Sequence, residues 1–247
     1  MTGEPALFRF HRERHVDARL LPGTDIAQYA QVQHVKIGLH EIGDAAADYP
    51  LAFLKDANSG QFRLVAMLGL AAGTNLYLHG DFWQAVYLPE EIVAAPFSVV
   101  GTNGDLCIDE ASARVSTDTG DALFTADGSE APVLLPIRTM LERLEQGRAA
   151  ADQLITALLE LELIRPVSVT VKFDTGPAEV IQGLYTPSPL QLRAIAPAAL
   201  FDLHSRDFLA PTYAILQSLS QFNRIRQLHN LQSERLVAAL ELVMEQS

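Results

Sequence analysis

Val167-Ser168-Val169-Thr170-Val171-Lys172-Phe173 places Val167, Val169, Val171 and Phe173 on one face of an extended chain and smaller or polar side chains on the other. Alternation with a period of two is the mark of a half-buried β-strand, because successive side chains point to opposite sides of the pleat. Asp174-Thr175-Gly176-Pro177 then turns the chain, and Glu179 to Tyr185 returns. Strands joined by so short a turn run antiparallel. This hairpin fixes the fold class as one that contains antiparallel sheet, and the elements on either side decide what the sheet is combined with.

Upstream of the hairpin the period changes. Ile137, Leu141 and Leu144, then Ala151, Ile155 and Leu158, recur at steps of three and four, as on an amphipathic helix or a helix pair broken near Gly147. Downstream, Ser188 before Pro189 reads as a helix cap, Pro197 opens a second helix, and Pro211 starts a long one. Ile215, Leu219 and Phe222 line its first part, and Leu236, Leu240 and Val243 its last. Before residue 110, strand-like segments dominate: Gln33 to Leu39, Pro50 to Leu54, Phe62 to Leu68 after a Ser59-Gly60 turn, and Asn75 to Leu78. Ser98-Val99-Val100 and Asp105 to Ile108 form a hairpin across Gly101-Thr102-Asn103-Gly104, in which Asn-Gly is the turn signal. Pro89 to Val93 reads as a short helix with acids in its first turn. The expected fold is α+β, with a largely antiparallel β N-terminal half and a helical C-terminal half. Residues 1–30 are expected as an irregular arm, and residues 31–247 as a single domain.

Composition narrows the function. The chain has 247 residues, 49% of them hydrophobic, enough to bury a sizeable core. A net charge of −12 opposes binding to nucleic acid, which requires clustered Lys and Arg. The arginines at 9, 12, 14 and 19 are interrupted by Glu13 and Asp17. The single cysteine, Cys107, excludes a disulfide framework within the chain. The N-terminus shows no charged region followed by an apolar run, and the longest apolar stretch falls short of the roughly 18 residues a membrane span needs. The expected location is the cytoplasm, without a membrane span.

No single catalytic signature emerges. Cys107 lacks a base and an electropositive setting, and Asp109 and Glu110 beside it oppose thiolate formation. On a strand Asp109 and Glu110 point to opposite faces, so one of them is a candidate inward carboxylate, with His204 as a candidate acid–base partner; strand-end capping is the bland reading of the two acids. His11 and His15 have the i, i+4 spacing of a metal pair, but no further ligands are evident. Asp118, Asp121 and Asp127 do not match a calcium loop. No metal and no cofactor is expected. The densest chemistry is aromatic and proline-rich: Tyr49, Trp83, Tyr87, Phe97 and Tyr185. Such rings recur at interface hot spots, and they equally pack cores.

Several short motifs occur in a fixed order: Ala47-Asp48-Tyr49-Pro50, Leu68-Gly69-Leu70, Asn75-Leu76, Tyr87-Leu88-Pro89, Pro96-Phe97, Cys107-Ile108-Asp109, Leu123-Phe124, Gly183-Leu184-Tyr185, Leu203-His204-Ser205 and Ser218-Leu219. In this order, from about residue 30 to about residue 230, the sequence resembles the bacterial SapC family, named for a gene linked to the surface-layer system. It departs at Ser112-Ala113, where members often carry Ser-Pro, and at Phe222, where a tryptophan is common. The resemblance carries over no catalytic residue. It implies an accessory or binding role in a surface-layer, uptake or protein-modification system, since members tend to be encoded beside outer-membrane receptors and halogenase-like or cupin-like oxygenases. The expectation is a non-enzymatic module that recognises a peptide or partner protein through Tyr49, Trp83, Tyr87, Phe97 and Tyr185. The alternative is an enzyme using carboxylate and histidine acid–base chemistry. A homodimer seamed along the expected C-terminal helix is a further expectation.

Overall fold

A computed structural model describes residues 6–56, 59–100 and 104–244. In chain order the elements are β1 (Leu7–Arg9), α1 (Arg12–His15), β2 (Arg19–Leu20), β3 (His34–Lys36), α2 (Ile42–Asp48), β4 (Leu51–Lys55), β5 (Phe62–Met67), β6 (Leu78–His79), β7 (Phe82–Trp83), α3 (Glu90–Ala94), β8 (Phe97–Val100), β9 (Asp105–Asp109), β10 (Val115–Ser116) and β11 (Asp121–Ala122). They continue as α4 (Leu134–Glu160), β12 (Ile164–Phe173), β13 (Glu179–Pro187), α5 (Pro189–Ala194), α6 (Pro197–Ser205), α7 (Leu209–Ser218), α8 (Phe222–Gln232) and β14 (Val237–Met244). The fold mixes α and β, and its sheets are antiparallel. Among the described residues no helix is long and apolar enough to cross a membrane.

Contacts divide the chain into two compact units. The first joins residues 1–30 to 88–146. Its sheet runs β1-β9-β8, and β2 sits between β10 and β11 in a smaller one. Within the segment expected as an irregular arm, β1 pairs with β9 through Leu7 to Asp109 and Arg9 to Cys107. Phe10, Leu20, Phe97, Leu106, Ile108, Leu123 and Leu141 form one apolar core here. The expected hairpin of β8 and β9 is present, with Phe97 opposite Ile108; Gly101, Thr102 and Asn103 of its turn lie outside the described residues.

The second unit joins residues 31–87 to 147–247 around a six-stranded sheet in the order β14-β12-β13-β4-β5-β3. The expected alternation holds: Val167, Val169 and Val171 are all buried. At the motif Gly183-Leu184-Tyr185 the register between β12 and β13 slips by one residue, and Gly183 takes φ +80° there. A β-bulge of this kind favours glycine because a Cβ would be strained at that dihedral. The slip lets Leu184 and Tyr185 meet Leu54 and Phe53 of β4, the joint between the early and the late strands.

Three expectations need restating. The ordering by halves holds only loosely: the long α4 and the later helices follow residue 132, but so do the longest strands, β12 and β13. Of the two readings, one helix or a pair broken near Gly147, the single helix is found: α4 runs unbroken from Leu134 to Glu160. A Cβ at Gly147 would run into the His40 ring and press on Gly38, so the glycine answers a close packing contact instead of ending the helix. The expected final helix carrying Leu236, Leu240 and Val243 is a correction: α8 stops at Gln232, and Val237–Met244 is a strand paired with β12. Spacings of four and three fit a helix locally, but the apolar run VAALELVM also fits a strand beside β12, and tertiary pairing decides between them. The dimer seam proposed along that helix therefore has no helix to use.

Candidate functional site

The site starts where α2 ends. Proline at 50 disfavours a helical conformation at the residue before it, and Tyr49 leaves the helix extended, φ −123° and ψ 145°. The step turns the Tyr49 ring inward, where it is fully buried. It meets Tyr77 at 4.6 Å between ring centroids, and Tyr77 in turn lies 6.3 Å from Trp83.

Buried phenols and indoles need partners, and these have them. Trp83 Nε1 donates to the Tyr49 hydroxyl at 2.7 Å. That hydroxyl donates onward, in a short hydrogen bond, to the Tyr87 carbonyl. Tyr77 donates its hydroxyl to the Asp48 carbonyl at 2.7 Å. Tyr87 donates its own hydroxyl to Glu41 Oε1 at 2.9 Å, and Glu41 Oε2 accepts the Gly38 N–H at 2.7 Å. Burial pushes the Tyr49 phenol far above its ordinary range, partly opposed by the Trp83 N–H, and burial pushes Tyr77 up likewise. Both stay protonated and keep their donor roles at neutral pH.

This network grips one loop. Asp48 Oδ2 accepts the backbone N–H groups of Val86 and Tyr87, at 3.0 and 2.8 Å. Gln84 donates its N–H to the Tyr77 carbonyl and accepts from Arg224 at 2.6 Å. Between these anchors β6 and β7 form a two-strand hairpin, with Leu78 opposite Trp83. The inner side of the segment Leu78 to Tyr87 is thus hydrogen-bonded, while two apolar side chains face water: Phe82 is 73% exposed and Val86 is 99% exposed.

The residues singled out in the sequence part company here. Tyr49, Trp83 and Tyr87 come together. Tyr185 sits on β13 and packs edge-on against Phe62 at 4.9 Å. Phe97 belongs to the core of the first unit, where it meets Phe10. Asp109 caps its turn, accepting the N–H groups of Ala6 and Ala111 at 2.9 and 3.0 Å. Glu110 is held in the fork of Arg14, at 2.5 and 2.9 Å, and its histidine neighbour is the buried His15, 3.1 Å away, in place of His204. The Arg14 hydrogen bonds hold the Glu110 carboxyl below the usual carboxylate range, which weakens it as a proton acceptor. His204 lies exposed on α6 in the second unit. Burial and the nearby Asp105 push the Cys107 thiol up, away from reactivity. Two clefts, of about 330 and 380 Å3, are lined by Val99, Leu106 and Leu141 in the first unit and by Lys55, Phe62 and Asp152 in the second; neither is lined by Tyr49, Trp83 or Tyr87.

Sequence reasoning passed over Asp48, Tyr77, Val86 and Arg224 as site residues. Asp48 carried a signal in its place before Tyr49-Pro50. Val86 carried none, because a lone valine in a loop looks the same whether buried or exposed. The chain belongs to the SapC family, whose model matches residues 10–225. No curated protein and no solved structure matches it.

Proposed function

We propose that this protein is a cytoplasmic, non-enzymatic binding module that docks a peptide or partner protein on the loop Leu78–Tyr87, within a surface-layer, uptake or protein-modification system. One observation carries the reading: Val86 is 99% exposed although its own N–H is fixed by Asp48. The backbone that carries this apolar side chain is restrained by its hydrogen bond before any partner arrives. Binding then costs less ordering entropy, and burying Phe82 and Val86 contributes directly. Exposed apolar patches mark interaction sites, and a few anchors carry most of the energy of an interface. The aromatic cluster supports this role as the frame, and Phe82 and Val86 as the contacts.

The test uses the full chain and the products of neighbouring genes of the halogenase-like and receptor classes. Wild type is expected to bind one of them by calorimetry or interferometry. The Phe82→Ala, Val86→Ala double variant is expected to bind at least about tenfold more weakly, the loss of roughly 1.4 kcal/mol or more that hot-spot truncation gives. Equal affinity in a folded double variant rejects the loop as the docking element.

A further inference from the structure

The six-stranded sheet ends on β3 at one side and on β14 at the other, and the two edges are built differently. β3 is three residues long, and its His34 and Lys36 are exposed. Short length and charge are how natural sheets discourage the addition of another strand. β14 has eight residues, VAALELVM, with no proline and one charged side chain. That charge is already matched, since Lys172 Nζ lies 2.5 Å from Glu241 Oε1.

Only the start of β14 is closed. The Asn230 side chain accepts the Val237 N–H at 2.7 Å and donates to the Val237 carbonyl at 3.1 Å, standing in for a neighbouring strand. Beyond the irregularity at Ala238, pairing with β12 is regular from Ala239 to Met244, and among the described residues no strand pairs with the outer side. The apolar side chains at this end are uncovered on both faces. Leu242 lies opposite Val169, which is fully buried, so Leu242 is on the core side of the sheet; it is nevertheless 37% exposed. Val243, on the other face, is 53% exposed. An open backbone edge flanked by apolar side chains on both faces calls for one more strand.

We propose that the β14 edge pairs with the β14 edge of a second copy of this chain, antiparallel about a two-fold axis, joining the two sheets into one. An antiparallel edge complements itself, because a two-fold axis sets the same row of N–H and C=O groups against its own image. Charge favours this edge for self-association. Each copy carries −12 and repels the other, whereas among the described residues β14 brings one charge, Glu241, which is paired with Lys172. A register centred on Leu240 sets Leu240 opposite its own copy, Glu241 opposite Ala239 and Leu242 opposite Ala238, so that an apolar pair lies on the axis and like charges are not directly opposed.

Light scattering coupled to size exclusion, over a concentration series of the full chain, tests the pairing. Wild type is expected at twice 27.0 kDa. The Leu242→Lys, Val243→Lys variant is expected at 27.0 kDa with an unchanged far-UV spectrum. Val180→Lys, on the exposed face of β13 away from the edge, is expected to keep the wild-type mass. Oxidised Leu240→Cys in a Cys107→Ser background is expected to crosslink two copies, which guards against misfolding of the lysine variant. Phe82→Ala is expected to leave the mass unchanged, so failure here and failure of the loop are told apart. A wild-type mass of 27.0 kDa up to about 100 μM, well above the range of a specific strand-mediated dimer, overturns the proposal. So does dissociation by Val180→Lys, absence of the crosslink, or a monomer that instead takes up an unrelated extended peptide.

Discussion

Each unit holds a cluster of rings, and the two clusters are built on different chemistry. In the first unit Phe10 stacks on Phe124 at 5.1 Å and meets Phe97 edge-on at 5.8 Å, phenyl rings without a polar handle, packed among aliphatic side chains and the His15 ring. In the second, Tyr49, Tyr77 and Trp83 carry hydroxyl and indole groups, and these reach backbone carbonyls or one another. The first cluster stabilises by removing area from water, which has no direction. The second also points: its hydrogen bonds end on the Tyr87 and Asp48 carbonyls and so fix where one loop runs. Ring density alone therefore distinguishes nothing; the partners of the polar tips separate a core from a frame.

The comparison breaks most easily at the apolar cluster. Phe97→Ala is expected to cost about 3–5 kcal/mol in urea unfolding, the usual range for truncating a buried phenylalanine. A loss under about 1 kcal/mol would mean that the site collapses around the gap and that the ring is no keystone. Tyr49→Phe keeps the ring and removes only its hydroxyl, leaving the Trp83 N–H and the Tyr87 carbonyl without that partner. The expected cost is about 1–3 kcal/mol. Trp83 is the only tryptophan, so its fluorescence reports this cluster directly.

Alkali sharpens the contrast further. Burial raises the folded-state pKa of Tyr49 and Tyr77 above the unfolded value near 10. Between those values the unfolded chain has lost the protons that the folded one keeps, so stability falls as pH rises. The contribution of these two tyrosines to the unfolding free energy is expected to be level up to about pH 10 and then to drop by up to roughly 1.4 kcal/mol per pH unit for each. Tyr49→Phe should make that slope shallower, and Phe97 variants should leave it unchanged. The smallest effect belongs to the loop tip: Phe82→Ala is expected within about 0.5 kcal/mol of wild type in stability, as for exposed positions generally, while partner binding weakens. A large loss of stability there would place Phe82 in the frame instead of on the contact surface.

Much of this was legible locally. The β12–β13 hairpin followed from a period of two and a turn tetrapeptide. Ser188 caps α5 by accepting the Gln191 N–H, as Ser-Pro suggested. The helix over Glu90–Ala94 has its acids in the first turn, as the sequence required. The family was legible as well, from the order of short motifs, and the family model bears it out.

What the sequence by itself determined is the set of elements that local period, caps and turns dictate, and hence a mixed fold with antiparallel sheets. Tertiary structure alone decided three things. It made Val237–Met244 a strand, because β12 offered a row of hydrogen-bonding groups some 70 residues away. It turned Tyr49 and Phe97 inward in separate cores while leaving Phe82 and Val86 in water. It gave Asp48 the task of holding the Val86 and Tyr87 amides. The reason is common to all three: periodicity encodes which residues share a face, but what that face meets depends on groups far along the chain, and no short window contains them.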